Sequence, residues 1–453
     1  MRKLVKFLIF ISLVTPRLVS SIVFVNDDLS TSLETLYKYN PKLKYERESL
    51  KSKDELYPQA LSEFRPEISG YYEKGKVDTN SEGFNITSDG IRTESNKGLT
   101  ITQKLYDGGS SLSNLEVAKN EIFAQRFYLK NIEQEVFLDS IKLYADLATE
   151  KTNLNFIKKN VEFLVSQQEL TKEQFEIGEV TLTDVSIADA RLSLAESELL
   201  ESTNKIISLS AKFSSIFGLK PNNPEVKLEI KSLNYDIETL KNDSKENNPK
   251  ILNLMYLIKS TEKEIQSLKR KRLPSLKLEA EAKINKGYFR TDSEREVLSA
   301  FAKVDIPLYQ AGSAASKIRE IKKKLFAQKE LLKMESREIE SNVVTSKSSF
   351  DYSLSRIKAY KKQIESNKIY LEGIKQELQL GERTTLDLLD GEQELLKSEL
   401  DLVKAYRDYF IAYYEILFHL GKLNAKDLDL DVELFDDQSN FKKVKGKWLD
   451  IVE

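Results

Sequence analysis

The sequence contains no cysteine, one histidine and one tryptophan in 453 residues. Without cysteine the chain can form neither a disulfide nor a thiolate metal site, so packing or assembly must stabilise it. Glycine (16 residues) and proline (9 residues) are scarce, whereas charged residues make up 31% of the chain. This balance is typical of long, solvated helices rather than of compact domains. The formal net charge of −2 provides no basic field for binding nucleic acid.

The sequence also lacks the residue sets that carry out catalysis. The single histidine, His419, lies in the largely apolar stretch YYEILFHLG without the companions that a metal or acid–base site recruits. The stretch DGGS at residues 107–110 lacks the GK[ST] ending of a phosphate-binding loop and is interpreted as a strand-to-helix turn. The sequence therefore predicts neither an enzyme nor a bound metal or cofactor.

Residues 1–21 have the features of a secretory signal peptide. A basic start is followed by the apolar run Phe7–Val14, then by Pro16 and two small residues, Ser20 and Ser21. The apolar run is too short to span a membrane. Cleavage leaves a mature chain with a formal charge of about −6. No later stretch approaches the roughly 20 apolar residues of a spanning helix.

One turn occurs twice in the sequence. FEIGEVTLTDVSIADARL, residues 175–192, and LQLGERTTLDLLDGEQEL, residues 378–395, share the pattern apolar–Gly–Glu–x–Thr–x–x–Asp. Two further pairs follow the same order: NPKL at 40 with NPKI at 248, and LYDGGS at 105 with LYQAGS at 308. Such fixed-order self-similarity indicates an internal two-fold repeat, in which each half has the order helix, strand, strand, very long helix, glycine turn, helix.

The repeats are predicted to cover residues 22–217 and 250–420. In the first, an initial helix is followed by strands at about 66–77 and 97–106, a long helix over 110–177, a turn at 178–181 and a helix over 182–217. In the second, an initial helix is followed by strands at about 274–285 and 297–308, a long helix over 313–380, a turn at 381–384 and a helix over 385–420. The strand-to-helix turns contain Gly108, Gly109 and Gly312.

The predicted strands have one apolar and one polar face. Leu276, Leu278 and Ala280, for example, alternate with Lys277 and Glu279. A single strand of this kind is typical of a half-buried sheet in a soluble protein. Four strands of roughly 10 residues, arranged as two hairpins on an exported chain, instead favour a membrane barrel.

Four strands cannot close a barrel. Open sheet edges in hydrocarbon leave backbone groups unpaired at a cost of several kcal/mol each, and known bacterial barrels begin near eight strands. A barrel built from these hairpins must therefore be shared between chains. The helices lead to the same conclusion, because no glycine or proline interrupts residues 110–177 or 313–372. Rods of ~90–100 Å bury little within one chain and need neighbours side by side.

With these features the sequence resembles the TolC family of outer-membrane export ducts, from about residue 30 to about residue 430. The most specific matching stretches are QFEIGEVTLTDV, FAKVDIPLYQAGS and the segment from ELQLGERTTLDLLDGEQEL to YYEILFHLG. The resemblance implies an α+β membrane protein that forms a homotrimer. Each chain would supply four strands to a 12-stranded β-barrel in outer-membrane lipid, continued by a long α-helical, coiled-coil tunnel in the periplasm.

The resemblance further implies passive conduction of exported proteins or small toxic compounds, as in type I secretion and multidrug efflux. A periplasmic adaptor (membrane fusion) protein and an inner-membrane pump would be the partners. Residues 218–249 and the C-terminal residues 421–453 interrupt the helical periodicity and are the candidates for an equatorial region partway along the tunnel.

The repeated turn has a structural interpretation. Gly178 and Gly381 suit the left-handed residue that ends a helix. Thr181 and Thr384 can each cap the next helix, with an aspartate three residues on in capping-box spacing. This interpretation requires only a tight helical hairpin.

The resemblance adds a functional role for the second copy. In the family the matching segment forms the periplasmic tip, where a tyrosine, an arginine and two aspartates hold the tunnel closed. By position Arg383, Asp387 and Asp390 correspond to the arginine and the aspartates. Thr183 and Asp184 in the first copy correspond to their partners.

The sequence departs from this pattern at Leu378, which takes the place of the tyrosine, so closure is expected to depend more strongly on Arg383. An Arg383–Asp184 pair between the turns is expected to contribute about 1 kcal/mol per copy. Asp387 and Asp390 are three positions apart and share a helix face. Three symmetric copies facing an axis would form rings of like charge that favour cations.

Two alternatives remain open on the sequence. A structural periplasmic coiled-coil or adaptor protein without a pore would share the long helices, but it does not account for four membrane-length strands. An enzyme is disfavoured because no nucleophile, base and orienting group occur together.

Overall fold

The computed structural model describes residues 29–79, 90–221 and 236–448. The predicted signal peptide, part of the predicted equatorial segment (222–235) and the last five residues lie outside the described residues. The described helices are α1 (Leu29–Tyr39), α2 (Pro41–Asp54), α3 (Leu56–Ser62), α4 (Ser110–Glu176), α5 (Leu182–Phe217), α6 (Ile237–Asn247), α7 (Pro249–Arg270), α8 (Ser313–Gln379), α9 (Thr385–His419) and α10 (Ser439–Val444). The described strands are β1 (Glu67–Thr79), β2 (Gly90–Tyr106), β3 (Ser275–Lys286) and β4 (Glu294–Asp305).

The four strands form one antiparallel sheet in the order β1-β2-β3-β4. The central pair, β2 with β3, joins the two halves of the chain. Strand β2 begins at Gly90, seven positions before the predicted start, because residues 90–96 pair with β1 although they lack apolar alternation. Strand β4 ends at Asp305, whereas the prediction extended it to 308. Pro307 has no amide N–H and cannot continue a ladder.

One face of the sheet carries apolar rows that cross all four strands, and a row with Lys97 and Glu296 borders them at one end. The cross-strand row Gly70, Leu99, Ala282 and Leu298 is defined by the pairing register. In the single chain Leu99 is 59% exposed and Leu298 is 87% exposed. Apolar side chains at this density are normally covered by another surface. Exposing this face of the sheet to water is therefore unfavourable.

The two longest helices, α4 and α8, have 67 residues each and therefore extend about 100 Å. Each follows a strand and is packed along an antiparallel return helix, α5 (36 residues) or α9 (35 residues). The result is two long helical hairpins with a turn at the end remote from the sheet. No helix within the described residues has both the length and the apolar composition needed to cross a bilayer.

The main apolar cores lie around the middle of α4 and α8. Phe137 and Ile141 of α4 pack with Leu36 of α1 in one core. Phe350 of α8 and Ile416 of α9 lie in the other. Toward the turns the apolar clusters are much smaller. The hairpins are therefore held firmly at mid-length and more weakly at their tips.

Candidate functional site at the helix turns

Both helix turns are built on a left-handed glycine. Gly178 has φ +79° and Gly381 has φ +77°, a conformation that costs other residues steric strain. The amide of the following residue donates back to the carbonyl five positions earlier, Glu179 to Gln174 at 2.8 Å and Glu382 to Glu377 at 3.0 Å. This is the 6→1 bond of a Schellman motif, which ends the long helix and reverses the chain.

The capping box expected from the spacing is present in both turns. The Thr181 amide donates to Asp184 Oδ2 at 2.8 Å, and the Asp184 amide donates to Thr181 Oγ1 at 3.4 Å. In the second turn the matching distances between Thr384 and Asp387 are 2.9 and 3.2 Å. These bonds satisfy amides that a helix N-terminus leaves unpaired.

Capping also determines the charge state of the two aspartates. Hydrogen bonds from the Thr181 hydroxyl and amide lower the pKa of Asp184 below its ordinary value. The Thr384 amide and hydroxyl, together with the positive charge of Arg383, lower the pKa of Asp387. Both carboxylates are therefore anionic at neutral pH.

Arg383 is engaged within its own hairpin. Its Nε donates to Glu377 Oε2 at 2.7 Å, and both side chains are more than 40% exposed. The predicted Arg383–Asp184 pair is not formed in the described part of a single chain, because Asp184 is held by its own cap and Glu377 is nearer to the guanidinium in sequence and space. Thr183 lies exposed in the first turn of α5.

Asp390 has a partner that sequence reasoning missed. Arg191 of α5 donates from Nη2 to Asp390 Oδ1 at 2.8 Å, which joins the first hairpin to the second. The two residues are 199 positions apart, so no local spacing rule could find the pair. The available signal was a break in the repeat: Arg191 matches Glu394, and Asp390 matches Ile187.

Small apolar clusters lie beneath these charges. Leu389 packs with Leu164 of α4 and with Leu192 of α5, and its neighbour Leu388 packs with Ile374 of α8. The buried pair Leu388–Leu389 lies between Asp387 and Asp390. The apolar side of α9 therefore packs against α4 and α5 of the first hairpin and against α8 of its own hairpin. The Arg191–Asp390 ion pair remains partly exposed beside this contact.

The two strand-to-helix turns, which precede α4 and α8, contain three further glycines. Gly108, Gly109 and Gly312 all have positive φ, at +71°, +80° and +79°. In the first copy the Asp107 carboxylate accepts hydrogen bonds from the Gly109 and Ser111 amides at 3.0 and 2.8 Å. In the first copy these bonds cap the start of α4 directly after β2.

Groups with other chemistry are sparse in the described residues. They contain no cluster of three or more acidic, histidine or cysteine side chains that could hold a metal ion. Burial lowers the pKa of His419, in keeping with a packed residue. The charged groups around the two helix turns are thus the candidate functional site.

Comparison with known proteins agrees with this architecture. The family model for outer membrane efflux proteins matches residues 33–218 and 240–422. The chain is 25% identical to the outer membrane efflux protein BepC of Brucella suis over 425 residues, which are 94% of this chain and 92% of BepC. It is 23% identical to the outer membrane protein TolC of Escherichia coli over 410 residues, covering 86% of this chain and 81% of TolC.

Among solved structures, the outer membrane protein VceC from Vibrio cholerae superimposes with a TM-score of 0.75 at 17% identity, covering 87% of this chain and 96% of VceC. The extended helical hairpins and the four-stranded sheet are thus a known fold. The chain belongs to the outer membrane efflux protein family.

Proposed function

We propose that three copies of this chain form a duct that conducts exported proteins or small toxic compounds across the outer membrane. The observation that carries the proposal is the four-stranded sheet with an exposed apolar face. Its strands have 12 to 17 residues, enough to cross a bilayer at a tilt. Such a face is stable in contact with lipid.

The edges of the sheet require the assembly. In the order β1-β2-β3-β4 the outer strands each have one unpaired side. In hydrocarbon, unpaired backbone groups cost several kcal/mol each. Pairing β4 of one copy with β1 of the next removes these edges, and three copies give a closed 12-stranded barrel.

The helices supply the second argument for assembly. Large apolar side chains remain exposed along the outer faces of α5 and α8, among them Leu200 (66%), Ile207 (62%) and Phe326 (60%). A second copy of the chain covers such a stripe by helix–helix packing. Because each chain contributes two similar hairpins, three chains contribute six, which surround a common axis as a tunnel through the periplasm.

The charged tips then form the gate at the periplasmic end. Asp387 and Asp390 would provide carboxylates around the axis, and Arg383, Thr183 and Asp184 would hold neighbouring hairpins together in the closed state. The lowered pKa of Asp387 keeps that ring charged. Such a duct requires two partners, a periplasmic adaptor protein and an inner-membrane pump, which open the duct and deliver the transported molecules to it.

The decisive experiment measures mass and conductance of the purified mature chain. We expect a trimer in detergent and discrete conductance steps in a planar bilayer. A chain that is monomeric and water-soluble without detergent contradicts the proposal and favours a pore-free coiled-coil protein.

Gate variants test the tip separately. Asp387→Ala combined with Asp390→Ala is expected to abolish block by multivalent cations added from the periplasmic side, and Arg383→Ser is expected to raise the conductance of the resting channel. Wild-type block and wild-type conductance in these variants would exclude the gate assignment while leaving the duct intact.

A further inference from the structure

The ion pair between Arg191 and Asp390 differs in kind from the other ion pairs near the tips. Lys172 pairs with Asp189 across α4 and α5, and Lys375 pairs with Glu392 across α8 and α9. Those pairs stay within one hairpin. The Arg191–Asp390 pair, at 2.8 Å, crosses from the first hairpin to the second.

The pair lies where the two return helices, α5 and α9, approach each other near the tip. The two hairpins pack against each other mainly through α4 and α9, whereas the return helices α5 and α9 make few contacts with each other. Arg191 directly precedes Leu192, and Asp390 directly follows Leu389. These two leucines share one small cluster, so the ion pair closes over the apolar contact that α5 and α9 have in common.

The internal repeat does not generate a second pair of this kind. The counterpart of Arg191 is Glu394, and the counterpart of Asp390 is Ile187. A contact between these two counterparts would therefore place the Glu394 carboxylate against the apolar side chain of Ile187. The two charges occur on the two return helices as a matched set, once per chain.

From this geometry we propose that Arg191 is the latch residue of this duct: it holds the two hairpins of one chain together at the closed tip and neutralises the Asp390 carboxylate. The proposal rests on the proposed duct function and deepens it. Few other contacts join α5 to α9, so widening the tip by moving these helices apart breaks the pair when the duct opens. With Asp390 paired, the ring of Asp387 carboxylates provides the net negative charge at the tip.

Conductance of single substitutions tests the latch. Arg191→Gln and Asp390→Asn each remove one partner with little change of shape, and three broken pairs are expected to raise the open probability by about tenfold. The two variants should differ in selectivity. Arg191→Gln exposes a carboxylate and raises the K⁺/Cl⁻ permeability ratio, whereas Asp390→Asn leaves a cation and lowers it.

Two further variants complete the set. The exchange Arg191→Asp with Asp390→Arg restores an ion pair and should return open probability to the wild-type level. Lys172→Gln is the matched control, because it removes an exposed pair that stays within the first hairpin. If Arg191→Gln and Asp390→Asn both behave like Lys172→Gln, the latch assignment is wrong.

Cross-linking gives an answer that does not depend on conduction. Because the natural chain has no cysteine, Arg191→Cys combined with Asp390→Cys creates the only two thiols. A short bismaleimide should link them within one chain, seen as a mobility shift of the denatured monomer. Dimer and trimer bands, or no reaction, would overturn the pairing. If the double-cysteine chain cross-links within the monomer but the wild-type chain never conducts, the duct function alone is refuted.

Discussion

Replacement of Gly108 by alanine should weaken the junction between the sheet and α4 far more than replacement of its neighbour. Gly108 has φ +71°, and a Cβ there would lie 2.5 Å from the Arg270 carbonyl oxygen and 2.9 Å from Leu273 Cβ. Gly109 has φ +80°, but the nearest atom to its Cβ is Arg270 Nη1 at 3.5 Å, an ordinary contact. An alanine at either position would thus have the same backbone strain, but only at position 108 would its Cβ also collide with neighbouring atoms.

The expected magnitudes follow from this difference. An alanine in the left-handed region costs about 1–2 kcal/mol, and Gly109→Ala should cost no more than that. In Gly108→Ala the end of α7 must also move. Arg270 donates from Nη1 to the Gly109 carbonyl at 3.0 Å and to Ser113 Oγ at 2.8 Å. Losing both bonds adds about 1 kcal/mol each, for a total of about 3–4 kcal/mol.

Thermal unfolding in detergent, followed by circular dichroism at fixed protein concentration, measures the difference. At about 2 °C per kcal/mol for a large chain, the midpoint of Gly108→Ala should lie about 4 °C below that of Gly109→Ala. Ala311, the repeat counterpart of Gly108, already has φ +47°, so alanine itself is tolerated at this type of turn. Equal shifts for the two variants would refute the reasoning from collision.

Two further predictions concern the tip and the mid-length of the helices. Because the Thr384 amide and hydroxyl lower the pKa of Asp387, its charge is retained above the lowered pKa and lost only as the pH falls through it. Block by multivalent cations should therefore persist through the ordinary aspartate range near pH 4, and loss of block at that pH in a single-channel titration would contradict the capped geometry. Arg407 donates to Asp146 of α4 at 2.6 Å and to Asp408 at 2.9 Å. Both side chains are about one-third exposed, so Arg407→Gln should cost about 1 kcal/mol in urea unfolding. Strict additivity with Asp146→Asn would show that the two side chains are not coupled.

Local features of the fold could be predicted from the sequence because they arise from neighbouring residues. The glycine at the end of each long helix, with a threonine and an aspartate at cap spacing, specifies the turn by itself. The 67-residue helices follow from long stretches without proline and, except for Gly373 near the end of α8, without glycine. The residues at 90–96 were not predicted as strand, since their conformation comes from pairing with β1 rather than from an apolar pattern.

Contacts between distant segments could not be predicted in this way. The contacts of the C-terminal segment, like the Arg191–Asp390 pair, join residues that are far apart in the sequence. Arg65 donates to the Lys447 carbonyl at 2.7 Å and lies 4.6 Å from the Trp448 ring, and Asn440 donates to Asp54 Oδ2 at 3.0 Å. The described C-terminal residues are thereby fastened to the segment that precedes β1. No spacing rule connects residues nearly 400 positions apart.

The charged residues of the proposed gate lie at positions where the two sequence repeats differ. Where the repeats agree, as in the glycine turns and caps, they build the same hairpin twice, which suits a uniform wall around an axis. Val180 is matched by Arg383 and Ile187 by Asp390, so charge that can close the tip is concentrated on the second hairpin. Arg191 supplies the opposite charge from the first. Closure is therefore expected to arise from the differences between the repeats, and a chain made uniform at these positions should still assemble but remain open.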